Sequence, residues 1–261
     1  MSETLHAGGT RTFQIWRGDM TDGKLVEYTL ELEAGMVVLD AVLEIQRSQE
    51  PDLAVRWNCK AAKCGSCSAE INGKPRLMCK TRIDHLPEDQ PIVVEPMRAF
   101  PLIRDLVTDV SWNYEVNKKI PPFTPRDDLP EGDYLMGQAE VDRIGEFRKC
   151  IECFLCQDVC HILRDHRMMD KYYGPRFMVR MASLDMHPLD GLDRLDQLAD
   201  DGGIGLCNIT KCCTEVCPEG IHITDNAIIP MKERVVDHRY DPVLKIFNRG
   251  GQKGRKKPDA A

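Results

Sequence analysis

The placement of cysteine constrains this chain of 261 residues more than any other feature of its sequence. Eleven of the twelve cysteines fall into three groups. The first group has the spacing C-x4-C-x2-C with a fourth cysteine after eleven further residues, and the second has the spacing C-x2-C-x2-C-x3-C. The third has three cysteines, and proline follows the last one. The groups are Cys59, Cys64, Cys67 and Cys79; Cys150, Cys153, Cys156 and Cys160; and Cys207, Cys213 and Cys217.

These spacings are typical of iron–sulfur clusters. Plant-type ferredoxins hold a [2Fe–2S] cluster with the first spacing, and bacterial two-cluster ferredoxins use the second. Zinc is the alternative for the first group, but zinc ribbons favour two separated cysteine pairs, whereas three cysteines here crowd one loop. We therefore expect a [2Fe–2S] cluster on Cys59, Cys64, Cys67 and Cys79.

The second and third groups are interpreted together, because the fourth cysteine of such a run ligates the other cluster. On that logic one cluster is [4Fe–4S], and the other has three thiolate ligands, which suit [3Fe–4S]. Thr210 stands three residues after Cys207, where a fourth cysteine could have completed the larger cluster. The predicted ligands are Cys150, Cys153, Cys156 and Cys217 for [4Fe–4S], and Cys160, Cys207 and Cys213 for [3Fe–4S].

Cys212 is the twelfth cysteine. Since it is adjacent to Cys213, it would have to turn back sharply to reach the same cluster. We expect a thiol that is not a ligand; if Cys212 does bind, the last cluster becomes [4Fe–4S] or acquires an unusual ligand.

Composition limits the class of protein. The net charge of −7 argues against a nucleic-acid partner. No stretch approaches the roughly 18 to 20 apolar residues that cross a bilayer, and the first twenty residues contain no export signal. A basic run near the C-terminus is either a solubilising tail or a contact for anionic lipid or an acidic partner; it comprises Lys253, Arg255, Lys256 and Lys257.

The predicted fold class is α+β. Residues 1–106 are expected to form a β-grasp ferredoxin-like domain, with a helix over 36–49 and a hairpin turn at Asn72-Gly73. Residues 107–136 are predicted to connect it to an all-helical two-cluster ferredoxin-like domain, residues 137–261, which ends in the basic tail. No internal repeat is apparent.

The sequence predicts two further helices. Helical spacing of apolar residues favours a helix over 102–119, after which four prolines forbid one. A last helix is expected over 224–238, with Thr224 or Asp225 as its N-cap.

The chain resembles the iron–sulfur subunit of the succinate dehydrogenase and fumarate reductase family. The resemblance spans nearly the whole sequence and rests on Arg56-Trp57-Asn58-Cys59, Cys150-Ile151-Glu152-Cys153 and Glu215-Val216-Cys217-Pro218. It implies [2Fe–2S], [4Fe–4S] and [3Fe–4S] clusters in that order, between a flavoprotein subunit with covalent FAD and membrane anchor subunits where quinone binds. The subunit would be peripheral, on the cytoplasmic face of the cell membrane.

The implied function is to pass single electrons from FAD to a quinone during succinate oxidation, with the carbon chemistry on the flavoprotein. Fumarate reduction is the alternative direction. The same architecture could also serve another flavin-linked oxidoreductase, such as a heterodisulfide or glycolate oxidoreductase. A zinc-stapled scaffold is the alternative from a different class.

The quinone end departs from the family pattern. Many relatives have proline and tryptophans after the fourth cysteine of the second group, and histidine after the first cysteine of the third, where this chain has His161, Asp165 and Asn208. With Thr210, these are candidate quinone-side residues, and their polarity favours menaquinone or a site displaced into the anchor. His161 is otherwise a solvated or structural residue. The nearby aromatic residues are expected to pack around the clusters; they are Phe147, Phe154, Tyr172, Tyr173 and Phe177.

Overall fold

A computed structural model describes residues 9–130, 134–242 and 256. Within these residues the chain forms two compact units. The first contains residues 9–110 and 151–159, and the second contains residues 111–130, 134–150, 160–242 and 256. This division differs from the predicted boundaries at 106 and 137. Residues 111–130 and 134–136 are part of the second unit, and the middle of the second cysteine group belongs to the first.

The first unit is built on a five-stranded sheet with the strand order β2-β1-β5-β3-β4. Strand β1 pairs in parallel with β5, and the other neighbours are antiparallel. The strands are β1 Thr10–Gly18, β2 Gly23–Glu31, β3 Ser68–Ile71, β4 Lys74–Leu77 and β5 Ile92–Glu95. Alternate residues of β1, including Phe13 and Ile15, are fully buried, so one face of the strand packs into the core.

Helix α1, Val38–Ser48, confirms the helix predicted over 36–49. It starts where the Asp40 carboxylate accepts a hydrogen bond from the Val37 N–H at 3.2 Å. Its apolar stripe is buried, and it comprises Val38, Leu39, Ala41, Val42 and Ile45.

The hairpin predicted at Asn72-Gly73 is also confirmed. It joins β3 to β4, and both turn residues have positive φ, 49° and 71°. A two-residue turn of this kind matches the twist of the strands that it connects.

The helix predicted over 102–119 is wrong in its first half. The segment forms strands β6 Leu102–Arg104 and β7 Val107–Thr108, and only Ser111–Lys119 is helical, as α2. The reason lies at Asp105, which turns the chain with φ of 50°. Its buried carboxylate accepts hydrogen bonds from the N–H groups of Gly18 and Ala54, at 2.9 and 2.8 Å. Those contacts stabilise a tight turn in place of another helical turn.

The remaining elements are helices. One of them, α4, belongs to the first unit, and the others belong to the second. They are α3 Gln138–Gly145, α4 Leu155–Asp158, α5 His161–Arg164, α6 Pro175–Asp185, α7 Leu195–Ala199, α8 Cys212–Glu215 and α9 Ile229–Tyr240. Short 3-10 turns cover Glu146–Lys149 and Ile204–Leu206.

The proline-rich stretch after α2 is fixed to the second unit. Arg194 donates to the carbonyl oxygens of Pro121 and Pro122, at 2.7 and 2.8 Å, and forms an ion pair with Asp190 at 2.8 Å. Both charged side chains are fully buried. Removing one partner of a buried pair costs about 3–5 kcal/mol, so this stretch is held firmly.

The predicted N-cap of the last helix is wrong. The helix begins as a wide π-helical turn, Ile223–Ile228, which continues into α9 without a side-chain cap. Thr224 instead turns its side chain inward, where its hydroxyl accepts a hydrogen bond from Thr214 at 3.2 Å.

None of the helices in residues 9–130 and 134–242 is both long and apolar enough to cross a membrane. Of the basic C-terminal run, only Lys256 is described, and it forms an ion pair with Asp127 at 2.7 Å. Lys253, Arg255 and Lys257 lie outside the described residues.

Candidate metal centres

No disulfide joins any of the twelve cysteines, all of which lie within the described residues. No group of three or more His, Cys, Asp or Glu side chains within the described residues is placed to hold a single metal ion. The three cysteine groups therefore have to be judged as possible ligands of larger metal groups.

The first cysteine group lies on a tightly wound loop before β3 and on the turn after β4. Lys60, Ala62 and Gly65 have positive φ, between 52° and 69°. These turns aim backbone N–H groups at sulfur: Ala61 and Lys63 donate to Cys59 Sγ at 3.4 and 3.3 Å. Such donors stabilise the negative charge that cluster sulfurs carry. The donor set and its backbone therefore fit a [2Fe–2S] cluster.

Two thiols of this loop differ in acidity. Burial raises the pKa of the Cys67 thiol to about 12. Burial also raises the pKa of Cys64, but hydrogen bonds from Ser66 and from the Cys59 N–H outweigh it and bring that pKa to about 6. Metal loading must displace a proton from Cys67 at neutral pH, so binding is coupled to proton release.

The same loop contacts the second cysteine group inside the first unit. A Cβ on Gly65 would lie 2.6 Å from the Cα of Cys153, which is too close for any other residue. Ser68 Oγ donates to the carbonyl oxygens of Gly65 and Cys153, both at 2.8 Å. Further along, the buried carboxylate of Asp158 accepts the Ala99 N–H at 2.9 Å. These contacts explain why residues 151–159 group with the first unit.

The four predicted [4Fe–4S] ligands are divided equally between the two units. Cys153 and Cys156 are buried in the first unit, and Cys150 and Cys217 are half-buried in the second. Within the second unit, Glu146 binds the segment after Cys217: its carboxylate accepts the His222 N–H at 2.8 Å. Cys150 follows Glu146 by four residues and Cys217 precedes His222 by five, so this contact ties the two cysteine segments to each other.

The Glu146 carboxylate also accepts hydrogen bonds from the His222 ring at 2.7 Å and from Asn226. Partial burial raises the pKa of Glu146, but the hydrogen bonds from His222 and Asn226 outweigh it and hold the pKa below its usual range. The group is therefore ionised in the folded protein at neutral pH.

The predicted [3Fe–4S] ligands line one cavity in the second unit. Cys160, Cys207 and Cys213 share it with Thr210 and Cys212. Burial raises the pKa of Cys160 to about 12 and that of Cys213 to about 11, so both thiols keep their protons until a metal displaces them. Four thiols therefore line this cavity, and three of them, those of Cys160, Cys207 and Cys213, match the donor set that a [3Fe–4S] cluster needs.

Residues 150–160 and 207–217 have matching backbones, although no repeat is apparent in the sequence. Positive φ occurs at the third and fifth positions of both segments, at Glu152 and Phe154 and again at Ile209 and Lys211. A four-residue helix follows in each, α4 and α8. In this alignment Thr210 takes the place of Cys153, and Cys212 takes the place of Leu155.

The candidate quinone-side residues occupy different positions. His161, Asn208 and Thr210 line the cavity of Cys160. Asp165 does not line it, but its carboxylate pairs with His161 Nδ1 at 3.1 Å, with both side chains about half exposed. Thr210 Oγ1 lies 3.3 Å from Cys212 Sγ.

Among the lining residues that were not predicted as site residues, Thr224 and Tyr172 are buried beside the cysteines. Thr224, expected to cap a helix, has its hydroxyl 3.4 Å from Cys213 Sγ. Tyr172, expected only to pack, lines the cavity with its side chain fully buried. Burial, followed by the nearby Cys207, Cys160 and Cys213 thiols, raises the pKa of the Tyr172 phenol well above its ordinary value. No local sequence signal distinguishes either residue from a core residue.

Comparisons with known proteins agree with this geometry. The family described as 2Fe-2S iron-sulfur cluster binding domain matches residues 12–115, and the family described as 4Fe-4S dicluster domain matches residues 146–221. The chain is 34% identical over 200 residues to the fumarate reductase iron-sulfur subunit of Mycobacterium tuberculosis, covering 74% of this chain and 79% of the relative.

It is 33% identical over 230 residues to the succinate dehydrogenase iron-sulfur subunit of Bacillus subtilis, covering 82% of this chain and 88% of the relative. Among solved structures, a chain of the Mycobacterium smegmatis Sdh1 complex in the apo form is 60% identical, with a TM-score of 0.88. That match covers 91% of this chain and 100% of the other.

Proposed function

Because the chain belongs to the family of iron–sulfur subunits of succinate dehydrogenase and fumarate reductase, which are parts of oxidoreductase complexes, we propose that it carries single electrons from flavin to a membrane quinone. The electrons would enter from FAD in a flavoprotein partner, where the carbon chemistry takes place. They would leave to quinone at the interface with membrane anchor subunits, with this subunit peripheral on the cytoplasmic face.

The proposed carriers are three clusters. A β-grasp domain would hold [2Fe–2S] on the first cysteine group, and the second and third groups would hold [4Fe–4S] and [3Fe–4S] with the ligands predicted above. These clusters supply one-electron oxidation and reduction, which links a two-electron flavin to a two-electron quinone. The protein's own part is to hold the thiolates, aim N–H donors at sulfur and exclude water.

One observation carries the proposal of three different clusters. Cys160, Cys207 and Cys213 meet on one cavity, and Thr210 occupies the place that Cys153 takes in the matching segment. A hydroxyl is a poor substitute for a thiolate as a ligand of cluster iron. The site that lacks the fourth thiolate is therefore expected to hold three irons.

The contact between Gly65 and Cys153 supports the order of the first two carriers. It brings the backbone of the [2Fe–2S] loop against a predicted [4Fe–4S] ligand. On the quinone side, His161 and Asn208 on the cavity of Cys160 support a polar quinone site, for which menaquinone is our proposal. Succinate oxidation is the proposed direction, and fumarate reduction is the second candidate because one similar protein is a fumarate reductase subunit.

Electron paramagnetic resonance (EPR) of the anaerobically purified complex tests this function. We expect a [3Fe–4S] signal in the oxidised sample and the other two clusters on stepwise reduction. A third [4Fe–4S] signal in its place would contradict the ligand assignment. Zinc without acid-labile sulfide would contradict electron transfer altogether and favour a structural scaffold. Assays in both directions with quinones of high and low potential then decide between succinate oxidation and fumarate reduction.

A further inference from the structure

Tyr172 presents an unsatisfied hydroxyl to the cavity of Cys160, Cys207 and Cys213. Its side chain is 0% exposed, and its oxygen makes no hydrogen bond of normal geometry within the described residues. A buried polar group without a partner costs about 1–3 kcal/mol. Four cysteine residues line this cavity beside the phenol, so sulfur is the most abundant acceptor within it.

The backbone on both sides of Tyr172 is held in place. The Tyr173 N–H donates to the Gly202 carbonyl at 3.1 Å, and the Tyr172 N–H donates to the Met168 carbonyl at 3.1 Å. A Cβ on Gly203 would lie 1.9 Å from the Lys171 carbonyl oxygen, so the chain approaches as closely as glycine allows. With its backbone fixed and its ring enclosed, the hydroxyl has little freedom to turn toward solvent.

We propose that Tyr172 donates a hydrogen bond to a sulfur of the [3Fe–4S] site, either Cys207 Sγ or a cluster sulfide, and thereby raises the reduction potential of this site. The inference rests on the proposed function. On reduction one electron enters the site and no bond to Tyr172 forms or breaks. The phenol keeps its proton, because burial disfavours the phenolate. The added negative charge falls largely on sulfur, so a fixed donor stabilises the reduced form more than the oxidised form.

The test is Tyr172→Phe in the anaerobically purified complex, with Tyr173→Phe as the matched control. The control removes the hydroxyl of the neighbouring buried tyrosine, which does not line the cavity. For Tyr172→Phe we expect a more negative midpoint potential of the [3Fe–4S] signal. At a fixed potential the reduced-to-oxidised ratio should fall about tenfold, which is about 59 mV for a one-electron couple. After exchange into D2O, the wild-type signal should also show a deuteron coupling that Tyr172→Phe lacks.

An unchanged midpoint together with an unchanged deuteron coupling would overturn the proposal, as would an equal shift in the control. If Tyr172→Phe fails to load the cluster, a ring-fluorinated tyrosine at position 172 decides. It keeps the size of the side chain and strengthens the donor, so the midpoint must become more positive, and an unchanged midpoint overturns the proposal. A wild-type complex without any [3Fe–4S] signal is a separate result, because there the proposed function itself fails.

Discussion

Residues 150–160 and 207–217 use one succession of backbone conformations for two different sets of side chains. In both, a cysteine in extended conformation is followed by two residues with positive φ and then by a four-residue helix. Only four of the eleven positions are identical, namely the three cysteines and a valine. The comparison teaches that the backbone places the thiols, whereas the side chain at the fourth position sets how many thiolates the site offers.

The two segments also differ in what holds them. Cys153 packs against Gly65 and receives a hydrogen bond from Ser68 at its carbonyl oxygen. The second segment is held by hydroxyl groups: Thr214 Oγ1 accepts the Thr224 N–H at 3.0 Å, and the Thr224 hydroxyl contacts Cys213 Sγ. Hydroxyl groups therefore hold both segments, and the first segment has in addition a close backbone approach at Gly65.

The largest effect is expected from Gly65→Ala. This substitution disrupts the packing of Gly65 against Cys153 in the first segment and leaves the second segment unchanged. The new Cβ would meet the Cys153 backbone at 2.6 Å, and the residue would also carry the strain of a φ of 69°. We expect a destabilisation of about 2–5 kcal/mol and loss of iron from the sites of Cys64 and Cys153. Iron and acid-labile sulfide per subunit, with EPR of the reduced sample, measure this.

Gly73→Ala is the control for Gly65→Ala, because its φ of 71° is similar and no atom lies within 4 Å of the new Cβ. It should cost about 1 kcal/mol and leave the iron content unchanged. Equal losses in both variants would show that backbone strain, and not the contact with Cys153, is responsible.

We expect a smaller effect from Thr210→Cys, which gives residues 207–217 the same number of aligned cysteines as residues 150–160. The type of cluster should change, whereas cluster assembly should not. A fourth thiolate at the position of Cys153 should convert the [3Fe–4S] EPR signal of the oxidised complex into a [4Fe–4S] signal seen on reduction. Cys212→Leu is the matched control, since Leu155 occupies that position in the first segment. It should keep the [3Fe–4S] signal; its loss would identify Cys212 as a ligand.

The smallest effect is expected from Glu146→Gln, which weakens the contact between the segments of Cys150 and Cys217. Replacing ionised hydrogen bonds by neutral ones should cost about 1–2 kcal/mol at pH 7, or roughly 2–8 °C in Tm. Because the folded pKa is lowered, the contribution of Glu146 is complete above its unfolded pKa of about 4.3. It is lost as the pH falls further, through the folded pKa.

The difference in Tm between wild type and Glu146→Gln should therefore narrow as the pH falls below about 4.3. Glu115→Gln serves as the control, because Glu115 is an exposed partner of Lys118. It should leave Tm unchanged at every pH. A difference that keeps growing below about pH 4.3 would contradict the assigned role of Glu146.

Much of this molecule could be predicted from local patterns. Cysteine spacing defines the three groups, Asn72-Gly73 defines a hairpin, and apolar periodicity defines α1, because each depends on residues close in the chain. The helix expected over 102–119 failed for the opposite reason. Its first half contains Asp105, whose carboxylate accepts hydrogen bonds from groups 87 and 51 residues away in the chain.

Contacts between residues distant in the chain were also not predicted inside the candidate sites. Thr224 and Tyr172 line the cavity of Cys160 although both lie outside the cysteine groups. Thr224 is placed by a π-helical turn, and Tyr172 by a backbone that packs against Gly203. The matching backbones of residues 150–160 and 207–217 could not be predicted from the sequence. Their similar φ angles occur at positions with unlike side chains, such as Glu152 and Ile209. Backbone conformations of this kind are set by the surrounding structure and not by residue type.

The hydrogen bonds from Arg194 to the carbonyl oxygens of Pro121 and Pro122 limit how this protein can be engineered. A stretch so rich in proline invites use as a tether, for an inserted affinity tag or for splitting the chain into separately expressed pieces. An insertion or a chain break here would remove the carbonyl acceptors of the Arg194 guanidinium. Because this guanidinium is fully buried, solvent would not replace those acceptors. Designers should leave residues 121–124 intact, and limited proteolysis should spare them as well.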